Sequence, residues 1–266
     1  MDRIAHPLPT ASELTSAILI LSHTLQSLRL KHGLIDSSAT FLHASSFSLP
    51  CLLPSNITIL IQPSKKISAL ELTHALSERR FASNFVVTRK NGVDYPKVII
   101  KRPKNNMRGD LLVEFRIVDH WLCHERREAY DFQIPGNETV PLMVGGEQVH
   151  VMNPEWLLRQ KIQMWNELVL EKEKRTDEFE IKTLVDVLGL RGSGKIKFRH
   201  KQEVEELSLV VMGMDRDDPM VLGSVIDCPQ VFGPWYDLAW VRAFGAVGSV
   251  LVLMKVLDRC VPGHDG

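Results

Sequence analysis

Apolar positions along the chain follow a helical period in some stretches and an alternating one in others, and the changes of period predict its elements. Thr10 to Glu13 has the form of a capping box, and Leu14, Ala17, Ile18, Leu21, Leu25 and Leu28 follow at helical spacing as far as Gly33. This predicts a helix over about residues 11–32, stopped by a left-handed glycine, with His23 and His32 solvated off its apolar stripe. After a polar linker, Asp36-Ser37-Ser38, the stretch Phe41 to Gln62 reads as two short strands meeting at a polar turn. The second strand carries Ile57, Ile59 and Ile61 in alternation and is entered through Pro54-Ser55. Ile67 to Arg80 returns to helical spacing, with Leu70, Leu72, Ala75 and Leu76 inward.

Phe85 to Lys90, the dipeptide Asn91-Gly92 and the run from Val98 form a predicted hairpin, because both turn residues tolerate positive φ. Pro103 to Asp110 is a basic loop, and Leu111 to Val118 is a strand. Thr139 to Val144, Gly145-Gly146 and Gln148 to Met152 form a second hairpin. Asn153-Pro154-Glu155 then opens a helix, Asn as cap, Pro in the first turn and Glu at the positive end of the dipole. That helix passes through Trp156, Lys161, Trp165 and Val169, and the charged run Glu171 to Asp177 is expected to break or bend it. A further helix turns Phe179, Ile181, Leu184, Val185 and Leu188 inward, and Arg191 to Lys195 lacks the spacing of a phosphate loop and reads as a linker. Glu203 to Met212 is helical, Asp215 to Pro219 a turn, and Trp235 to Val261 one long apolar helix. Its uncharged part, Ala243 to Met254, falls short of the roughly 20 residues a bilayer span needs. Gly245, Ala246 and Gly248 suit it to close packing, and a homodimer through this helix is expected.

Composition narrows the function classes. The 266 residues carry 32 basic and 32 acidic side chains, so no net charge draws the chain toward nucleic acid or an anionic membrane. Cys51, Cys123, Cys228 and Cys260 form no CxxC pair, which argues against a zinc knuckle or a disulfide scaffold. The N-terminal apolar run AILIL is too short for a signal peptide and follows Glu13, so a cytoplasmic location is expected and the sequons at Asn56 and Asn137 read as chance matches. His120, Cys123, His124 and Glu125 have ligand chemistry without a diagnostic spacing, and read as a polar connection.

From Thr40 to Leu188 the order of elements resembles the nucleotidyltransferase fold, especially the small nucleotidyltransferase-like proteins of the AbiEii and fungal types. The resemblance is carried by the hairpin from Pro141, by NPEWLLRQKIQMW with its central Lys161, and by KRTDEFEIKTLVDVL, where Asp177, Glu180 and Ile181 stand in the place of an R/K-x-x-D-x-x-D-I run. It implies an α+β fold, a mixed sheet flanked by helices with a helical C-terminal extension. The expected division is residues 1–152 as the α/β domain and 153–266 as a helical region packed on it.

The resemblance also implies a glycine-containing turn, a D-x-D pair on the next strand and a third carboxylate on a later one, holding two metal ions. By position His43-Ala44-Ser45-Ser46 replaces the turn and Asn56-Ile57-Thr58 the acidic pair, and Phe41 to Gln62 contains no carboxylate. No metal and no cofactor are therefore expected. The leading expectation is a metal-independent enzyme that binds an apolar small molecule and promotes an intramolecular cyclisation, Diels-Alder chemistry included, in secondary metabolism. Asn56, Thr58, His43 and Ser45 are the candidate catalytic donors. Glu114, Arg116 and Lys161, with Trp121, Trp156 and Trp165 as apolar walls, are the candidate substrate contacts, although each tryptophan also suits a core and Lys161 paired with Asp177 would be structural. The alternatives are a non-catalytic scaffold on the same fold, or a Mg²⁺-dependent transferase using Glu114, Asp110 and Asp119.

Overall fold

Thr10 and Glu13 cap each other reciprocally, side chain to backbone amide in both directions, and this starts α1, Ala11–Ser27. Leu14, Ile18, Leu21 and Leu25 are fully buried along it, each contributing at most about 1.5–3 kcal/mol. The helix ends earlier than its apolar spacing suggests, and Arg29, with φ 56°, takes the left-handed position expected of Gly33. Gly33 lies instead in β1, His32–Ile35, where an added Cβ would come within 3.0 Å of Met152 Sδ and Thr139 Cγ2. Its missing side chain serves close packing. The computed structural model describes residues 9–62, 67–90, 92–102, 109–119, 139–165, 168, 170–192, 194–214 and 218–233, in two compact units, Met1–Leu157 and Leu158–Gly266.

In the first unit β1 is followed by α2, Asp36–Ser46, β2, Ile57–Ile61, and α3, Ala69–Leu76. Two hairpin strands, β3 at Phe85–Lys90 and β4 at Val93–Ile100, lead to β5, Leu111–Asp119. A second hairpin, β6 at Thr139–Val144 and β7 at Glu147–Met152, turns at Gly145 and Gly146 with φ of 58° and 88°. These strands form one seven-stranded sheet in the order β3-β4-β5-β2-β1-β7-β6. It is mixed, with β2–β5 and β1–β7 parallel and the other pairs antiparallel.

Register separates the two faces of this sheet. Ile57 pairs with Phe115 and Ile59 with Ile117, while Val98 pairs with Val113, so these residues share one face and all are buried. His32 and Asp119, both in register with Ile61, lie on that face too. Ser22 of α1 lies 3.4 Å from His32 Nε2, and Asp119 accepts a hydrogen bond from the Ala69 amide at the start of α3, so both helices pack there. His32 is therefore buried against α1, which corrects the expectation that it is solvated; its neutral ring donates from Nδ1 to the Leu30 carbonyl. On the opposite face Lys97 and Glu114 are half-exposed, and Arg116 is exposed.

The first strand expected within Phe41 to Gln62 is helical: α2 buries Ala39, Phe41, Leu42, His43 and Ala44. The helix expected over residues 67–80 is confined to α3, capped by Ser68 and Glu71. After β7, α4 starts at Pro154 with Asn153 Oδ1 accepting from the Glu155 amide, and ends at Trp165. The boundary between the units falls within α4. The charged run does not break a helix; it forms the first turns of α5, Glu171–Arg191, and the interruption falls before it. Lys and Glu are good helix formers, and a run of them solvates one side of a helix without ending it. Gly192, with φ 64°, ends α5. A short parallel pair, β8 at Ile196–Lys197 and β9 at Ile226–Asp227, accompanies α6, Lys201–Gly213, and α7, Asp218–Val225. The cluster at residues 120–125 and the helix expected over 235–261, with the dimer assigned to it, lie outside the described residues. No helix among the described residues is long and apolar enough to cross a membrane.

Candidate functional site

Thr58, buried, is the point where three elements meet on the face that carries Arg116. It pairs with Ile35 of β1 on one side and with Arg116 of β5 on the other, at a strand separation of about 4.8 Å. Alternation along β5 puts Glu114 on the same face as Arg116, and Lys97 of β4 lies directly opposite Glu114. Asn56, half-buried, immediately precedes β2. The side chains of Asn56, Glu114 and Arg116 make no hydrogen bond or ion pair with the described residues. An amide, a hydroxyl, a carboxylate and a guanidinium thus surround the start of β2, three of them able to donate hydrogen bonds.

Beside this group, Asp36-Ser37-Ser38 form the first turn of α2, directly after β1. Asp36 holds φ 54°, a left-handed conformation that is costly for a residue other than glycine. Ser38 Oγ donates to the Ile35 carbonyl at 2.8 Å and accepts from the Thr58 amide at 3.3 Å, fastening the start of α2 to β2. These residues, read from sequence as a linker, are thus the start of a helix. Their signal was an Asp-Ser-Ser run directly after the short apolar run Leu34-Ile35.

His43 and Ser45 do not stand at that turn. They lie in the second half of α2, about 7.5 and 10.5 Å of helix rise from Ser38 respectively. The His43 ring is fully buried and its Nε2 lies 2.8 Å from the Met152 carbonyl, an anchor between α2 and β7. Ser45 is exposed near the end of the helix. Neither belongs to the group around Thr58.

The remaining expected contacts divide similarly. Trp121 lies outside the described residues. Trp156 is half-buried in the first turn of α4. Lys161 and Trp165 belong to the second unit and are buried within it. Lys161 Nζ is 2.7 Å from Asp177 Oδ1 and 2.7 Å from Glu180 Oε2, and Trp165 packs beside Gly213. Near them Arg159 pairs with Glu203 and stacks 4.6 Å over the Phe198 ring. Lys161 is therefore held by two carboxylates, the structural role that its pairing with Asp177 suggested.

The donor set around Thr58 does not suit a pair of divalent cations. Hard cations select oxygen anions, and this face offers a neutral amide and a hydroxyl at the two leading positions with a fixed positive charge beside them. Asp110 and Asp119 cannot complete it. They bracket β5, about 30 Å apart along an extended strand, and Asp119 lies on the face opposite Glu114, where it binds the Ala69 amide at 3.3 Å.

Comparisons with known proteins agree with this architecture. No protein-family model matches the chain, and no curated protein matches its sequence. Among solved structures, the crystal structure of an antigenic nucleotidyltransferase-like protein from Paracoccidioides brasiliensis matches with a TM-score of 0.68 at 24% identity, over 85% of this chain and 99% of that one. The solution structure of the antibiotic-resistance factor ANT(2'')-Ia matches with a TM-score of 0.41 at 11% identity, over 77% and 92%. The chain has a nucleotidyltransferase-like fold.

Proposed function

We propose that this chain is a metal-independent protein on a nucleotidyltransferase-like fold, which holds a small molecule by an anionic group at the exposed Arg116. The observation that carries this reading is the register that sets Arg116 beside Thr58. Where the fold's usual chemistry would need acids gathered around cations, this reading puts a neutral amide and a hydroxyl at Asn56 and Thr58, with the permanent positive charge of Arg116 next to them. A guanidinium recognises a carboxylate or phosphate directly, through a planar fork of donors. Asn56 and Thr58 then supply hydrogen bonds to the rest of the ligand.

Such a site promotes reactions that need shape and hydrogen bonding rather than a Lewis acid. Intramolecular cyclisation, pericyclic closure included, is the class proposed, since fixing a flexible substrate near its reactive geometry supplies several kcal/mol, up to about 7–11 in intramolecular models. Asn56 and Thr58 would polarise a carbonyl as charge develops on it. A comparison of the metabolites of cells with and without the gene tests this. An accumulated open-chain anion that the purified protein converts to an isomer of equal mass supports the reading. Transfer of a nucleotidyl group from a nucleoside triphosphate in Mg²⁺ would overturn it, and an unchanged metabolite profile would favour the scaffold alternative.

A further inference from the structure

The segment that leads into Asn56 carries three exposed apolar side chains. Between α2 and β2 the chain runs Phe47-Ser-Leu-Pro-Cys-Leu-Leu-Pro-Ser-Asn56, and Phe47, Leu52 and Leu53 are 36%, 41% and 49% exposed. The loop is anchored at both ends. Phe47 and Leu49 donate backbone hydrogen bonds to the Ala44 carbonyl, Ser48 turns the chain with φ 56°, and the far end enters β2. Pro50 and Pro54 fix φ at two positions and withhold two amide donors from any strand pairing. Three large side chains are thus presented to solvent on a tethered loop, and Leu53 is within about 11 Å of Asn56 along the chain.

We infer that the ligand of the Arg116 site is amphipathic, an anionic head group carrying a hydrocarbon body, and that Phe47, Leu52 and Leu53 form the surface on which that body lies. This rests on the head-group reading above and extends it to a substrate class. Charge complementarity fixes one end of the ligand at Arg116, and the half-buried Asn56, three residues after Leu53 in the chain, lies between that end and the apolar loop. A ligand that covers the loop removes exposed apolar area from water, which a free phosphate or a short carboxylate does not do.

Calorimetric titration of the full chain with methyl, butyl and octyl phosphate, each below its micelle concentration, tests the inference. Affinity is expected to rise about two-fold for each methylene between butyl and octyl phosphate, the gain for a chain covered on one side. Leu52→Ser/Leu53→Ser, at exposed positions, is expected to abolish that rise while leaving methyl phosphate unchanged. Arg116→Ala is expected to weaken all of the probes alike. Equal affinity for methyl and octyl phosphate, or a length dependence that survives Leu52→Ser/Leu53→Ser, overturns the amphipathic ligand and leaves the head group standing. Absence of binding by every probe, or methyl phosphate binding that ignores Arg116→Ala, overturns the head-group reading itself.

Discussion

Replacing Lys161 by Met separates a structural from a ligand-binding role for the most deeply buried cation expected at the site. The Lys161 side chain is 9% exposed, between Asp177 at 13% and Glu180 at 4%, each with an oxygen 2.7 Å from its ammonium. Removing the cation takes the ammonium away from two buried carboxylates, and breaking a buried pair from one side costs about 3–5 kcal/mol. That is a large share of the roughly 5–15 kcal/mol that holds an ordinary domain together. The triple variant Lys161→Met/Asp177→Leu/Glu180→Leu removes all of the charges and is expected to recover most of the loss, because apolar side chains of similar volume replace a buried ion pair at little cost. Urea denaturation followed by tryptophan fluorescence measures both, with Trp165 reporting from the same unit. A loss under about 1 kcal/mol in Lys161→Met, within the range of exposed ion pairs, together with lost ligand binding, would refute the structural assignment.

Two further outcomes follow from the first unit. Burial holds the His32 pKa below its ordinary value, with the nearby His150 acting in the same direction and the Leu30 carbonyl opposing them. Above about pH 6.5 the ring is neutral in both folded and unfolded chains; as pH falls below that, only the unfolded chain takes up the proton readily, so stability declines until pH passes the folded value. Melting temperatures between pH 7.5 and 5 should therefore fall less steeply in His32→Gln than in the wild type, and identical slopes would contradict this. Ser38→Ala leaves the buried Thr58 amide without its 3.3 Å acceptor, at a cost of about 1–3 kcal/mol, read by the same denaturation experiment.

The elements that were legible in the sequence are those specified locally. Thr10 and Glu13, Gly145-Gly146 and Asn153-Pro154-Glu155 each carry their own cap or turn chemistry, and each forms as that chemistry dictates. Residues 36–46 do not: Asp-Ser-Ser-Ala-Thr-Phe-Leu-His-Ala-Ser-Ser is poor in strong helix formers, and burial of Ala39, Leu42 and His43 against the sheet decides its state. Gly33 was misread for the converse reason, since glycine after a helix suggests a stop, whereas its role depends on Met152 and Thr139, more than a hundred residues away in sequence. The site divides along the same line. Asn56, Thr58 and Arg116 were visible as residue types on strands, but only the register of β2 against β5 makes them neighbours. Asp36 and Ser38 were hidden because their importance lies in a backbone turn, and His43 and Ser45 were misplaced with the helix that contains them.

We propose that Asn56 and Thr58 occupy positions where acids would create a cation site. Calorimetric titration of Mg²⁺ and Mn²⁺ into the wild type and into Asn56→Asp/Thr58→Asp tests it most directly. The account predicts no saturable heat from the wild type and measurable binding by the double variant, with Glu114 as the third carboxylate on the same face. Wild-type protein that binds either cation as tightly as the double variant would contradict it.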